Sequence, residues 1–261
     1  MNKRISRRSL WLGALISSMS AAPQIATATI VEFQTVMGNF EVNLYDTTTP
    51  ITVTNFLSYV NNGNFTNSVF HRSIPGFIVQ GGGFSYDGVP GVLPPIPARP
   101  PILNEPILSN VTGTIAMAKF GNDPNSATNQ WFFNLADNSP NLDLQNGGFT
   151  AFGEVVGNGM DVVNAIAALQ RFNFGDAFTD LPLQNFTQTA DFDASNLIII
   201  TEIIVTDSTA DSAGLAGLNP TLNTLINAPP PPLPPTGGGG GGSFSFFALF
   251  GLLLTYRFRR A

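Results

Sequence analysis

Arg72 and Gln80 are the residues of this 261-residue chain best equipped for chemistry, a forked guanidinium and a primary amide set among Phe70, Ile74, Phe77, Ile78 and Val79. Placing a cation among large apolar side chains costs free energy unless the charge is paired or used. Phe77, Val79 and Gly81 alternate with Ile78, Gln80 and Gly82, the period of two of a strand whose faces have different tasks. That alternation lets Arg72 and Gln80 meet over one apolar floor. Gly81-Gly82-Gly83 then ends the stretch with backbone that can turn or admit a close neighbour.

Other chemistries lack material. The chain has no cysteine, which excludes disulfides, thiolate catalysis and thiolate metal sites, and its single histidine, His71, leaves almost nothing from which to build a catalytic zinc centre. No Ser or Cys partner for His71 is identifiable, so it reads as structural. Asp46, Asp143 and Asp161 read as turn or cap residues, and Lys119 as part of a rim.

Charge argues in the same direction. Of 11 basic residues, Lys3, Arg4, Arg7, Arg8, Arg257, Arg259 and Arg260 sit at the two ends, leaving Arg72, Arg99, Lys119 and Arg171 for the body. All 17 acidic residues lie between Glu32 and Asp211, so the body is more acidic than the formal net charge of −6. Nucleic acid is excluded as a partner, because phosphate binding needs clustered Lys and Arg. Abundant Gly, Phe, Asn and Thr with little Lys favours strands and turns over long surface helices.

Phe70, His71, Arg72, Ile74, Pro75, Gly76, Phe77, Gln80, Gly81 and Gly82 resemble the active-site segment of the cyclophilins, the peptidyl-prolyl isomerases. Ser126-Ala127-Thr128-Asn129-Gln130-Trp131-Phe132 is similar to the family's second motif, with Trp131 where Phe is usual. Leu142-Asp143 and Phe149 to Val156 are similar to its third. The resemblance covers roughly residues 29 to 207 and weakens between Gln170 and Ser195. It implies a mainly β fold, a closed eight-stranded antiparallel β-barrel capped by two α-helices, working as a monomer on proline-containing polypeptides without a cofactor. It implies Arg72 and Gln80 as catalytic residues and Phe77, Ile78, Ala118, Phe132, Leu142 and Phe149 as the substrate-binding pocket. Asn141 stands where many eukaryotic members carry Trp, and Phe149 where many carry His; the first departure bears on cyclosporin binding, the second makes the pocket more apolar. A proline-binding module or chaperone with little turnover would use the same pocket.

The elements that must position these residues are legible in order. Ile30 to Val36 and Phe40 to Tyr45 alternate as a hairpin around Met37-Gly38-Asn39. Thr49-Pro50 opens a helix with Thr as N-cap and Pro at its first position; Val53, Phe56, Leu57 and Val60 give it one apolar face, and Asn61-Asn62-Gly63 ends it. Phe84 to Asn110 is loop, punctuated by prolines that cannot join a sheet ladder, and is assigned no chemistry. Thr114 to Lys119 and Gln130 to Leu135 read as strands, Asp161 to Leu169 as the second helix, and Leu197 to Val205 as the closing strand.

Both ends read as address labels. Residues 1–28 have the basic, apolar and small-residue layout of a secretory signal peptide, with cleavage after Ala28 or, alternatively, Ala22. Ser6-Arg7-Arg8-Ser9-Leu10 also resembles a twin-arginine export signal. Residues 208–236 read as a linker ending in a proline-rich spacer, Pro229 to Pro235. In the tail, 237–261, six glycines precede the apolar run Phe244 to Tyr256 and terminal arginines. This is similar to the Gly-Gly carboxy-terminal sorting signals of Gram-negative bacteria, which a rhomboid-type protease is thought to cut. A permanent membrane anchor is the alternative. The chain is thus expected in the periplasm or at the cell surface, with membrane contact through its tail before processing.

Overall fold

A computed structural model describes residues 29–208 and 220–227; the leader, residues 209–219 and the stretch from 228 onward lie outside it. The hairpin forms as β1 (Ile30–Thr35) and β2 (Gly38–Leu44), with Phe33 opposite Phe40. Helix α1 (Pro50–Asn61) starts at Thr49 and Pro50. Thr49 makes no side-chain cap; the Glu105 carboxylate accepts from the amides of Ile51 at 3.3 Å and Thr52 at 2.9 Å. An anion at a helix N-terminus satisfies orphan donors and complements the dipole, and here it comes from the proline-rich loop.

After α1 run the short strands β3 (Ser68–Val69), β4 (Arg72–Ile74) and β5 (Ile78–Gly81), then β6 (Thr114–Met117) and β7 (Trp131–Asn134). Next come the single turn α2 (Ser139–Leu142), β8 (Ala151–Val155) and α3 (Gly159–Ala167). A separate pair, β9 (Gln170–Phe172) and β10 (Leu181–Leu183), precedes β11 (Ile199–Asp207). The main sheet is antiparallel throughout, in the order β3-β11-β1-β2-β8-β6-β7-β5-β4. Its two edge strands are joined through Phe70 and His71 alone, so the sheet must curl.

Nine strands stand here where eight were expected. The Phe70 stretch changes hydrogen-bond partner midway: Phe70 N donates to Ile198 O on one side and His71 N to Gln80 O on the other, both at 3.1 Å. The second helix runs over 159–167, about a half-turn earlier than the apolar spacing placed it.

Inside the curl lies an aromatic core. Phe33 stacks on Phe40 at 5.0 Å between centroids and meets Trp131 edge-on at 5.2 Å; Phe56, Phe65, Phe70, Phe133 and Phe152 complete the cluster. Helix α1 contributes Val53, Phe56, Tyr59 and Val60, and α3 contributes Val163, Ile166 and Ala167. The period of two sorts the strands. On β7, Trp131 and Phe133 enter this core while Phe132 belongs to a second cluster; on β6 and just beyond it, Ile115 and Met117 enter while Ala116 and Ala118 do not.

The weakly patterned segment after Gln170 forms a third cluster. Phe172, Leu181, Leu183 and Phe192 pack with Val69, Phe84, Leu93 and Ile199. Ser73 N donates to Asp180 O at 2.9 Å, tying β10 to the strand that carries Arg72.

Candidate active site

Arg72 on β4 is the register partner of Gln80 on β5, and Gln80 in turn faces Phe132 on β7. Three adjacent strands therefore set guanidinium, amide and phenyl ring in one row on the outer side of the sheet. Arg72 Nη1 donates to Gln80 Oε1 at 3.4 Å, and Gln80 Nε2 donates to Gln130 Oε1 at 2.8 Å. Gln130 lay inside a recognised motif but was not singled out; only the three-dimensional row shows that it orients Gln80. Burial draws the Arg72 guanidinium below its ordinary range, opposed by the nearby Asp180 carboxylate. A guanidinium starts so far above neutrality that it stays charged. Partial desolvation strengthens its field at short range.

Beside this row lies an apolar cluster that gathers Phe77, Ile78, Ala118, Phe132, Leu142 and Phe149, with Tyr45, Leu108, Ala116 and Ala151 behind. Phe132 and Phe149 meet edge-on at 5.9 Å. The cluster's frame is polar. Asn138 Nδ2 donates to Phe77 O at 2.8 Å, Asn110 Nδ2 donates to Phe149 O at 2.9 Å, and Phe149 N donates to Leu142 O at 2.8 Å. Asp143, read as a turn residue, is buried with its carboxylate accepting from Ser109 Oγ at 2.6 Å and Asn110 N at 2.8 Å.

Lys119 is not the exposed rim residue expected from sequence. Its side chain lies over Phe149, Nζ 4.6 Å from the ring centroid, and donates to Asn146 O at 2.9 Å and Gly148 O at 2.6 Å. Burial lowers its pKa to about 8, against the pull of Asp123. His71 is buried against Phe84, and burial with the Arg72 charge pushes its pKa down to about 3. A neutral imidazole enclosed this way packs; it does not shuttle protons.

The three glycines have a steric reason. A Cβ at Gly81 would lie 2.6 Å from Trp131 Cη2, at Gly82 it would run into Asn129 O, and at Gly83 it would lie 2.7 Å from Gln130 Cδ. Gly82 also has φ +79°. The stretch thus makes room for the indole and for the amide that holds Gln80.

A cation and an amide beside a buried apolar cluster offer no nucleophile and no proton shuttle, which suits a reaction that only rotates a bond. Comparison with known proteins agrees. Residues 30–187 match the family model "Cyclophilin type peptidyl-prolyl cis-trans isomerase/CLD". The chain is 40% identical over 174 residues to a peptidyl-prolyl cis-trans isomerase of Acinetobacter baylyi, covering 66% of this chain and 87% of the relative. It is 40% identical over 181 residues to peptidyl-prolyl cis-trans isomerase A of Dickeya dadantii, covering 67% and 90%. The fold is similar to that of a cyclophilin-type isomerase of Cryptosporidium parvum, with a TM-score of 0.52 and 22% identity over 70% of this chain and 99% of the other. The chain belongs to the cyclophilin-type peptidyl-prolyl cis-trans isomerase family, and its function is the cis-trans isomerisation of X-Pro bonds.

Proposed function

We propose that the chain accelerates rotation about X-Pro bonds in exported polypeptides, with Arg72 as the group acting on the twisted bond. The barrier of ~18–20 kcal/mol comes from partial double-bond character in the C–N bond. Twisting returns a lone pair to the proline nitrogen, so a guanidinium aimed there favours the twisted form over either planar isomer. No nucleophile is needed. Lowering the barrier by ~7 kcal/mol gives about a 10⁵-fold acceleration. Gln80, oriented by Gln130, holds substrate backbone, and Phe77, Ile78, Ala118, Phe132, Leu142 and Phe149 seat the proline ring.

The observation that carries this reading is the Arg72–Gln80 pair at 3.4 Å, on strands whose outer face also presents Phe132. In the same reading the sheet closes: taken as one strand bent at Phe70-His71, β3 and β4 bring the count from nine to eight. Residues 1–28 direct export to the periplasm or cell surface, and 237–261 form a sorting signal cut by a rhomboid-type protease.

The test is an exchange measurement on an Ala-Pro peptide with the full chain and its Arg72→Ala variant. Faster exchange that collapses in the variant supports the reading. Saturable binding without faster exchange would leave a proline-binding module.

A further inference from the structure

Pro220 to Asn227 lie beyond the last strand and beyond the stretch that matches the family model, yet they are built into the molecule. Leu222 pairs with Leu108 as an antiparallel bridge: Ser109 N donates to Thr221 O at 2.8 Å and Asn223 N to Ile107 O at 2.9 Å. Asn223 is only 8% exposed. Its Nδ2 donates to Asp143 O at 3.0 Å and Pro106 O at 3.2 Å, and its Oδ1 accepts from the amides of Leu225 and Ile226 at 3.0 and 3.1 Å. All its side-chain hydrogen-bonding capacity joins three pieces of backbone, one of them directly behind the pocket wall.

Asp143 follows Leu142, and its carboxylate fixes Asn110, whose amide holds Phe149 O. A Cβ on Gly148 would meet Ile226 Cδ1 at 3.4 Å, so the same clasp also covers the backbone before Phe149. Lys119 Nζ and Asn104 Nδ2 both donate to Gly148 O. The Leu142–Phe149 wall is therefore held both by Lys119 and by residues 220–227.

We infer that the segment Pro220–Asn227 is a working part of the isomerase, with Asn223 a positioning residue that sets the Leu142–Phe149 wall of the proline pocket. This rests on the isomerase reading. Arg72 stands on the other side of the cleft and has no link to the clasp through these bonds. The wall seats the proline ring in planar and twisted forms alike, so loosening it weakens uniform binding and raises KM while sparing kcat.

The test uses the full chain with Asn223→Ala and Asn223→Asp. Aspartate keeps the acceptor for the Leu225 and Ile226 amides and so keeps the local turn, but it cannot donate to Asp143 O. Both variants should raise KM for an Ala-Pro peptide fivefold or more with kcat within twofold, and both should shift the NMR signals of the Leu142 methyls and Phe149 ring. Unchanged KM in Asn223→Ala, or recovery of KM in Asn223→Asp, would overturn the inference by reducing the segment to a local turn. Loss of folding in both variants would also overturn it, since the clasp would then be a stability element. If the unmodified chain shows no turnover the isomerase reading fails; whether the Leu142 and Phe149 signals move still decides the clasp.

Discussion

Arginine at position 72 combines two properties that no other side chain joins. Its charge survives partial burial, and its planar fork can address the proline nitrogen and the neighbouring carbonyl while Gln80 holds one nitrogen at 3.4 Å. Lysine would keep the charge and lose the fork. Arg72→Ala should therefore lower turnover at least 100-fold with circular dichroism unchanged, and Arg72→Lys should recover little of it. Near-normal turnover in folded Arg72→Ala would place the chemistry elsewhere.

Next to it, His71 makes a prediction about pH. Its folded pKa of about 3 lies below the unfolded value of 6.5. The unfolded chain therefore binds a proton that the native chain refuses between those values, so this residue costs stability as pH falls from 6.5 toward 3. The slope is at most about 1.4 kcal/mol per pH unit for one group. Urea titrations across that window should show it, and His71→Gln should flatten it. An equal slope in the variant would assign the acid sensitivity to the carboxylates.

At the scale of elements, the site exists because β4, β5 and β7 lie side by side with alternate residues pointing opposite ways. Much of this was readable. Alternation along Ile78 to Gly81 separates core from site, Val79 entering the core while Ile78 and Gln80 do not, whereas Phe77, in phase with Val79, packs with the site cluster because it precedes β5. What stayed hidden depends on partners distant in sequence. The break at Phe70-His71 reflects a switch of partner from Ile198 to Gln80, Glu105 caps a helix that begins 55 residues earlier, and Lys119 is buried by a loop carrying Asn146 and Gly148. The β9–β10 pair was missed because its strands are three residues long, too short to show a period.

Trp131, in place of the family's usual Phe, had no account from sequence; the geometry supplies one. Its six-membered ring lies against Gly81, where a Cβ would come within 2.6 Å of Cη2. The indole is wedged among Phe33, Phe70 and Phe133, at 5.2 to 5.6 Å between centroids, and has nowhere to retreat. Gly81→Ala should cost about 1–3 kcal/mol through overpacking. In the Trp131→Phe background the same change should cost clearly less, because the colliding atoms are gone. Equal losses of stability in the two backgrounds, read from urea midpoints in a double-mutant cycle, would mean that Gly81 is kept for its backbone.

At the scale of the whole molecule, a nearly cation-free body stands between a basic leader and a basic tail. Under the proposed export and tail sorting, this charge allocation suits ends that meet a membrane and a body that works in water. Among the described residues no helix is long and apolar enough to cross a membrane. In the tail, prolines come first, then six glycines, then an apolar run with Arg257, Arg259 and Arg260 behind it. That order suits cutting. Glycine resists helix formation by about 1 kcal/mol per residue relative to Ala, which is the composition the proposed cleavage by an intramembrane protease calls for. The apolar run Phe244 to Tyr256 is shorter than the ~20 residues of a stable span, as suits a temporary stop. The clasp fits this order, since it ties the chain to the folded body before the prolines begin. Mass spectrometry of the protein recovered from its native host should find a carboxy terminus near Gly237 to Gly242, with the isomerase body and clasp intact. Recovery of Ala261 in the membrane fraction would establish a permanent anchor, and the glycines would then be a hinge.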